Sequence, residues 1–161
     1  MGAVAPLLIT FEDYTGVLGC ELAGELDTDL AGRYGSGNQP VLVPPGSFSP
    51  AARGGFWVAR TAGAALGCVA LASWTATVGE LKRMYVRPAA RGRGLARALL
   101  AHCEQQARAL GYAELWLETG WAQPEAVALY ESAGYHRVPG FGQFGHEDGC
   151  FCYGRHLCVE R

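Results

Sequence analysis

The run Val86-Arg87-Pro88-Ala89-Ala90-Arg91-Gly92-Arg93-Gly94-Leu95-Ala96 joins a strand-like stretch to an amphipathic one and constrains the fold more than any other segment. Upstream, Glu80 to Val86 reads as a strand, and Pro88 helps to end its pairing because proline cannot donate to a ladder. Downstream, Ala96, Leu100, Cys103, Ala107 and Leu110 recur at steps of four and three residues, the period of one helix face. Gly111 then stands where a helix-terminating glycine belongs. A strand, a glycine-bearing turn and a helix N-terminus together make an anion site, because backbone N–H groups converge there and the helix dipole adds positive charge. Gly92 and Gly94 let the backbone approach a phosphate closely, small Ala96 leaves room beside it, and Arg91, Arg93 and Arg97 can add charge-assisted hydrogen bonds. The segment has neither the third glycine of the dinucleotide fingerprint nor the Gly-Lys-Ser/Thr of the P-loop, so another phosphate ligand is implied; a pyrophosphate would fit. An ordinary surface turn with solvated arginines is the alternative that the bare pattern leaves open.

Around this segment the chain reads as an alternation of helices and strands. Leu18, Leu22, Leu26 and Leu30 mark one or two helices between Phe11 and Tyr34, with Gly16, Gly19 and Gly24 favouring a break into two pieces. Gly35 to Gly55, rich in Gly, Pro and Ser, predicts a long surface loop. Phe56 to Ala59 and Leu66 to Trp74 predict a hairpin about Thr61-Ala62-Gly63-Ala64. Leu115 to Leu117 is a short strand, and Gln123 to Ala133 a helix with Pro124 in its first turn and Gly134 after its end. Two strand candidates follow, around Tyr135 to Val138 and Cys150 to Val159. This order implies an α/β fold with a mixed sheet and helices on its faces.

Composition limits the function. A chain of 161 residues that is half hydrophobic supports one domain with a substantial core. Thirteen Lys and Arg against fifteen Asp and Glu give a net charge of -2, which removes any general pull toward nucleic acid or an anionic membrane. The N-terminus has no basic region before Leu7-Leu8-Ile9, and Pro6 stands where a myristoylation signal needs Ser or Thr. A soluble cytoplasmic protein with six free thiols is expected.

Arg91-x-x-Gly94-x-Ala96 resembles the Q/R-x-x-G-x-G/A signature of the GNAT N-acetyltransferase superfamily. The likeness continues through Glu80 to Val86 before it and Ala128-Leu129-Tyr130-Glu131-Ser132-Ala133-Gly134-Tyr135 after it, covering roughly Phe56 to Val138. The resemblance implies a mostly antiparallel central sheet splayed between the strands ending near Val86 and Thr119. Acetyl-CoA would lie in the gap as the cosubstrate. Met84 and Val86 match positions whose backbone holds the pantetheine arm; the N–H at Met84 would also polarise the thioester carbonyl. Arg91, Gly92, Arg93, Gly94, Ala96 and Arg97 match the pyrophosphate loop. Glu80 matches a general base found in some members, or else a solvated or acceptor-binding carboxylate. Tyr130 matches the tyrosine that protonates the departing sulfur, although its ring also suits a core position. Gln123 stands where many members carry Asn, which leaves its coenzyme contact less secure.

On this reading 11–34 holds acceptor-side helices, 56–138 the acetyl-CoA core and 139–161 a terminal strand region. The segment before Tyr34, the Gly35 to Gly55 loop and Phe141-Gly142-Gln143-Phe144 would shape the acceptor groove. The expected reaction is acetyl transfer to the primary amine of a small molecule by direct attack. A protein lysine or N-terminus is the other acceptor class, and a non-catalytic acetyl-CoA sensor or metal-binding module the alternative of another kind. Homodimers are common in the superfamily, so a homodimer is an open expectation. His146, Cys150, Cys152, His156 and Cys158 invite a metal, but Cys-x-Cys is not the two-to-four-residue gap of structural zinc ligands, so none is expected. Cys68 and Cys103 lie within apolar patterns and are not expected to act as nucleophiles.

Overall fold

The computed structural model describes residues 4–158 apart from 36, 37, 40, 43 and 45. The elements in chain order are β1 (Leu7–Phe11), α1 (Val17–Tyr34), β2 (Gly55–Thr61), β3 (Ala64–Ser73), β4 (Val78–Val86), α2 (Leu95–Ala109), β5 (Glu114–Gly120), α3 (Pro124–Ser132), β6 (His136–Arg137) and β7 (Cys150–His156). The strands form one sheet in the order β1-β2-β3-β4-β5-β7-β6, antiparallel throughout except for the parallel β4–β5 pair.

The central strands are apolar on both faces because helices cover both. Trp57 and Ala59, Val69 and Leu71, and Leu115 and Leu117 point into a core completed by Leu99, Leu100, Cys103 and Ala107 of α2. Their neighbours Phe56 and Val58, Cys68, Ala70 and Ala72 face the opposite way and bury Leu22 and Leu26 of α1. The period-two alternation therefore assigns one helix to each face.

Three elements differ from the sequence expectation. First, α1 is one unbroken helix, because burying Leu22 and Leu26 completely or nearly so outweighs a glycine cost of about 1 kcal/mol per residue. Gly19 is required there by close approach, since a Cβ would sit 2.2 Å from the Tyr14 carbonyl oxygen. Second, the residues at Phe11 and before it form β1, an edge strand whose leucines Leu7 and Leu8 are exposed and so show no alternation. Third, β7 stops at His156; Val159 lies outside the described residues, as do 36, 37, 40, 43 and 45 of the expected loop.

The feature that shapes the site is a bulge. β3 and β4 pair Ala70 with Lys82 and Cys68 with Tyr85, so Arg83 and Met84 together oppose Val69. Arg83 takes φ 55, a left-handed conformation uncommon for a residue with a Cβ. Its side chain is almost wholly buried and donates from Nη2 to the Ala23 carbonyl at 3.0 Å and to Asp27 Oδ1 at 2.9 Å, which secures the bulge against α1. Such a bulge bends and twists its strand. Accordingly β4 pairs with β5 only from Val78–Glu114 to Leu81–Leu117, while β5 continues alongside β7 as far as Gly120–Cys150. Beyond Leu81 the two strands part.

Candidate active site

The parting strands open a cavity of about 260 Å³. Its walls come from β4 at Glu80 to Met84, from β5 at Glu118 to Gly120, from α1, from α3 at Ala126 and Tyr130, and from the loop before β7. Of the residues expected at the site, Glu80, Met84, Gln123 and Tyr130 line this cavity together. Val86 and the Arg91 to Arg97 turn lie outside it, at the far end of β4.

That turn has the geometry of an anion site. Gly92 and Gly94 hold φ 76 and 77, and a Cβ on either would meet nothing within 4 Å, so open space adjoins the turn. Gly94 caps α2 with no side-chain hydrogen bond, and the first bond back to the turn is Ala98 N–H to the Gly94 carbonyl at 3.1 Å. The N–H groups ahead of Ala98 are the ones a helix leaves without an internal partner. The arginines divide. Arg91 braces the fold, donating to the Val86 carbonyl at 2.9 Å and pairing with Asp29 at 3.2 Å. Arg93 and Arg97 are exposed, held by the Ala89 carbonyl at 3.1 Å and Ser132 Oγ at 2.9 Å. Ala96, on the first turn of α2, is half-buried.

Inside the cavity, Tyr130 is 4% exposed, its ring edge-on to Tyr135 at 5.8 Å between centroids. Burial pushes its phenol above the usual range, so it is protonated at neutral pH. Gln123 accepts a hydrogen bond from the Tyr34 hydroxyl at 3.0 Å, which ties its carbonyl oxygen to the end of α1. Glu80 is not solvated: it is 5% exposed and receives Lys82 Nζ at 2.8 Å.

The sequence reading did not single out Glu118, which the structure places on the same sheet face as Glu80. Trp116 pairs with Glu80 across the β4–β5 ladder, and Glu118 follows two residues later where the ladder has ended. The alternation Leu115-Trp116-Leu117-Glu118 was the available signal, since an aromatic and a carboxylate on one strand face suggest partial cover. The loop before β7 closes over it; a Cβ on Gly142, whose φ is 71, would fall 1.7 Å from Glu118 Oε1. Burial pushes the Glu118 carboxyl up to about 7; Lys82 opposes the shift, Glu80 adds to it, the Phe144 N–H lowers it and Glu147 raises it.

Among the described residues, four buried side-chain polar atoms have no hydrogen-bond partner: Arg83 Nε, His102 Nε2, Glu118 Oε1 and Thr119 Oγ1. Three of the four belong to residues lining this one cavity. Such atoms are rare in folded proteins, and their clustering marks a polar spot whose missing bonds a water or a ligand would supply.

Cys68 and Cys103 stay outside the cavity. Burial raises Cys68 to about 12 and moves Cys103 further in the same direction, which keeps both as thiols. Among the described residues no three His, Cys, Asp or Glu side chains are grouped to hold a metal ion, and none of the helices is long and apolar enough to cross a membrane.

Residues 25–135 match the Acetyltransferase (GNAT) family. The chain is 40% identical over 126 residues to a protein named IAA acetyltransferase from Azospirillum brasilense, covering 78% of this chain and 81% of that one. A solved structure from Klebsiella pneumoniae, provisionally assigned as an acyl-CoA N-acyltransferase, superposes with a TM-score of 0.79 at 29% identity over 94% of this chain and 98% of its own. A GNAT-family acetyltransferase structure from Staphylococcus aureus shares the fold, with a TM-score of 0.71 at 16% identity over 95% of this chain and 100% of its own. The splayed β4 and β5, the uncapped glycine turn and the extended match agree: this chain belongs to the GNAT acetyltransferase family.

Proposed function

We propose that the chain transfers the acetyl group of acetyl-CoA to the primary amine of a small molecule by direct attack, with Glu118 as the base and Tyr130 as the acid. The observation that carries this reading is the cluster of unpartnered polar atoms in the cleft that also holds Tyr130. The free edge of β4 beyond Leu81 suits the pantetheine arm as an added strand along Met84 and Val86, and the Gly92 to Ala96 turn suits the pyrophosphate.

The acceptor arrives as an ammonium ion and must lose a proton before it attacks. Asp27, Glu80, Glu118, Glu147 and Asp148 line the cavity against Lys82 and Arg83, an excess of negative charge that draws a cation in. Glu80 is engaged by Lys82, whereas Glu118 keeps a buried oxygen without a partner and titrates near neutrality, so the proton passes to Glu118. The amine nitrogen then forms a bond to the acetyl carbonyl carbon as the carbon–sulfur bond breaks. The departing thiolate takes the phenolic proton of Tyr130, which burial has kept in place until then, and the surplus proton on the new amide nitrogen passes back to the tyrosinate. No acyl-enzyme is involved, in keeping with the buried, protonated Cys68 and Cys103 and with Cys150 of the cavity wall, which burial raises to about 12.

The test is thiol release from acetyl-CoA against amines, amino acids and basic peptides, repeated with Tyr130→Phe. Turnover on small amines that falls about a hundredfold in the variant, with acetyl-CoA binding unchanged, is the expected result. Turnover confined to peptides would move the acceptor to a protein, and full activity of Tyr130→Phe would remove the acid role.

A further inference from the structure

A second cavity, of about 250 Å³, adjoins the first and shares Glu80 and Lys82 with it. The ion pair between those two residues, at 2.8 Å, thus stands at the boundary between two compartments on one face of the sheet. The second compartment has a different character. Leu42, Pro44, Phe48, Ala72 and Trp74 line it beside the uncharged Ser47, Ser73 and Gln143, and among the described residues no charged one other than the Glu80–Lys82 pair does so. Since that pair is mutually neutralised, this compartment suits an uncharged group; a second ammonium or a carboxylate would find no counterion there.

Its aromatic wall is specific in geometry. Trp74 is 44% exposed, an uncommon state for so large an apolar side chain, and it is held edge-on to Phe141 at 5.3 Å between centroids. Phe141 in turn meets Trp116 at 5.2 Å, so the half-exposed Trp74 ring is anchored through a chain of two ring contacts. The Leu42 N–H donates to Gln143 Oε1 at 2.9 Å, which joins the two loops that form the remaining walls. A dry cavity of about 150 Å³ is enough to hold benzene, so the space admits one ring.

We propose that this second cavity is an acceptor subsite for an aromatic ring, so that the amine substrate is an arylalkylamine whose ring rests on Trp74 while its nitrogen reaches Glu118 past the Glu80–Lys82 pair. The inference rests on the acetyltransferase reading above and adds the class of acceptor. One cavity selects the positive end of the molecule by charge; the other selects the neutral end by shape. Trp74 is then a specificity-determining residue.

The experiment compares ethylamine, 2-phenylethylamine and 4-phenylbutylamine on the wild-type chain, Trp74→Ala and Trp74→Phe. Both kcat/KM for acetylation and calorimetric binding in the presence of coenzyme A are measured. Wild type is expected to favour a phenyl-bearing amine over ethylamine by at least about tenfold, the scale on which an apolar pocket discriminates. Trp74→Ala should lose most of that preference through KM, with ethylamine turnover and the KM for acetyl-CoA unchanged, and Trp74→Phe should restore much of it. Trp74 is exposed, so these variants test the subsite without threatening the core. Equal treatment of ethylamine and the phenyl amines, or a phenyl preference that survives Trp74→Ala, overturns the proposal. If no amine is acetylated, the catalytic reading fails, while the calorimetric preference and its dependence on Trp74 still decide the subsite.

Discussion

In the role proposed for it, Glu118 is a side chain tuned for chemistry at the expense of stability. Its carboxyl is raised from an ordinary value of 4.5 to about 7 because the Gly142 loop and the strand face remove it from water. A carboxyl with a raised folded-state value binds its proton more tightly in the folded chain than in the unfolded one. The associated stability is therefore present below about pH 4.5 and is lost as the pH rises through about 7. Catalysis runs the opposite way, since only the ionised form accepts the amine's proton. The kcat/KM of the wild-type enzyme should rise with pH through about 7 and level off above it. Glu118→Gln should lower kcat/KM by about a hundredfold and flatten that rise, while melting higher than wild type at pH 8 and with wild type at pH 4. Thermal melts at the two pH values and a pH–rate profile check both halves. A variant that loses activity without gaining stability at pH 8 would show that Glu118 is ionised in the folded chain by some other compensation.

At the scale of elements, the Arg83 bulge is what turns a paired strand into the wall of a cleft. A left-handed residue with a Cβ costs about 1 kcal/mol, and here it is held by two hydrogen bonds to α1. Arg83→Ala keeps the strain and removes those bonds, so a loss of about 2 kcal/mol is expected in denaturant unfolding, together with a raised KM for acetyl-CoA as β4 relaxes toward β5. Arg83→Gly removes the strain as well and should be the less destabilised of the two. None of this was legible in the sequence, where Glu80 to Val86 reads as an unbroken strand; a bulge depends on the register against β3, which local pattern does not supply. What was legible is what local pattern dictates. The α2 stripe ending at Gly111, Pro124 at the start of α3 and Gly134 beyond it all reflect backbone rules that hold without tertiary context. β1 escaped notice because its leucines face solvent at a sheet edge, and the choice between one and two helices at α1 leaned toward a break because its glycines are local while Leu22 and Leu26 are stabilised from across the fold. At the site the same division holds: Glu80, Met84, Gln123 and Tyr130 do meet, yet Glu118 depended on knowing where the β4–β5 ladder ends.

The molecule as a whole is a sheet in two parts, β1 to β4 and β5 with β7 and β6, joined by only four paired positions from Val78 to Leu81. Helices hold the parts together across the split. On one face α2 packs against β3, β4 and β5, and its buried Glu104 receives the Tyr135 hydroxyl at 2.9 Å and Arg155 of β7 at 3.1 Å. On the other face α1 carries Glu21 and Glu25 to Arg87 and Asp27 to Arg83 on the β4 side, while Arg33 donates to the Ala122 carbonyl and pairs with Glu125 on the β5 side. A ligand laid along the free edge of β4 would add contacts at the place where the sheet has fewest. It would therefore stabilise the folded chain by mass action as a whole, not only locally. At a hundred times its dissociation constant, acetyl-CoA should contribute about 2.7 kcal/mol. For a chain of this length that is a rise of about 5–10 °C in melting temperature, read by calorimetry or near-UV circular dichroism. Gly94→Ala, strained at φ 77 but free of steric contact, should keep a cooperative transition about 1 kcal/mol weaker and lose most of the ligand-induced rise. A full rise in that variant would place the coenzyme's phosphates away from the α2 turn, and no rise in the wild type would mean that the split in the sheet is not a coenzyme site.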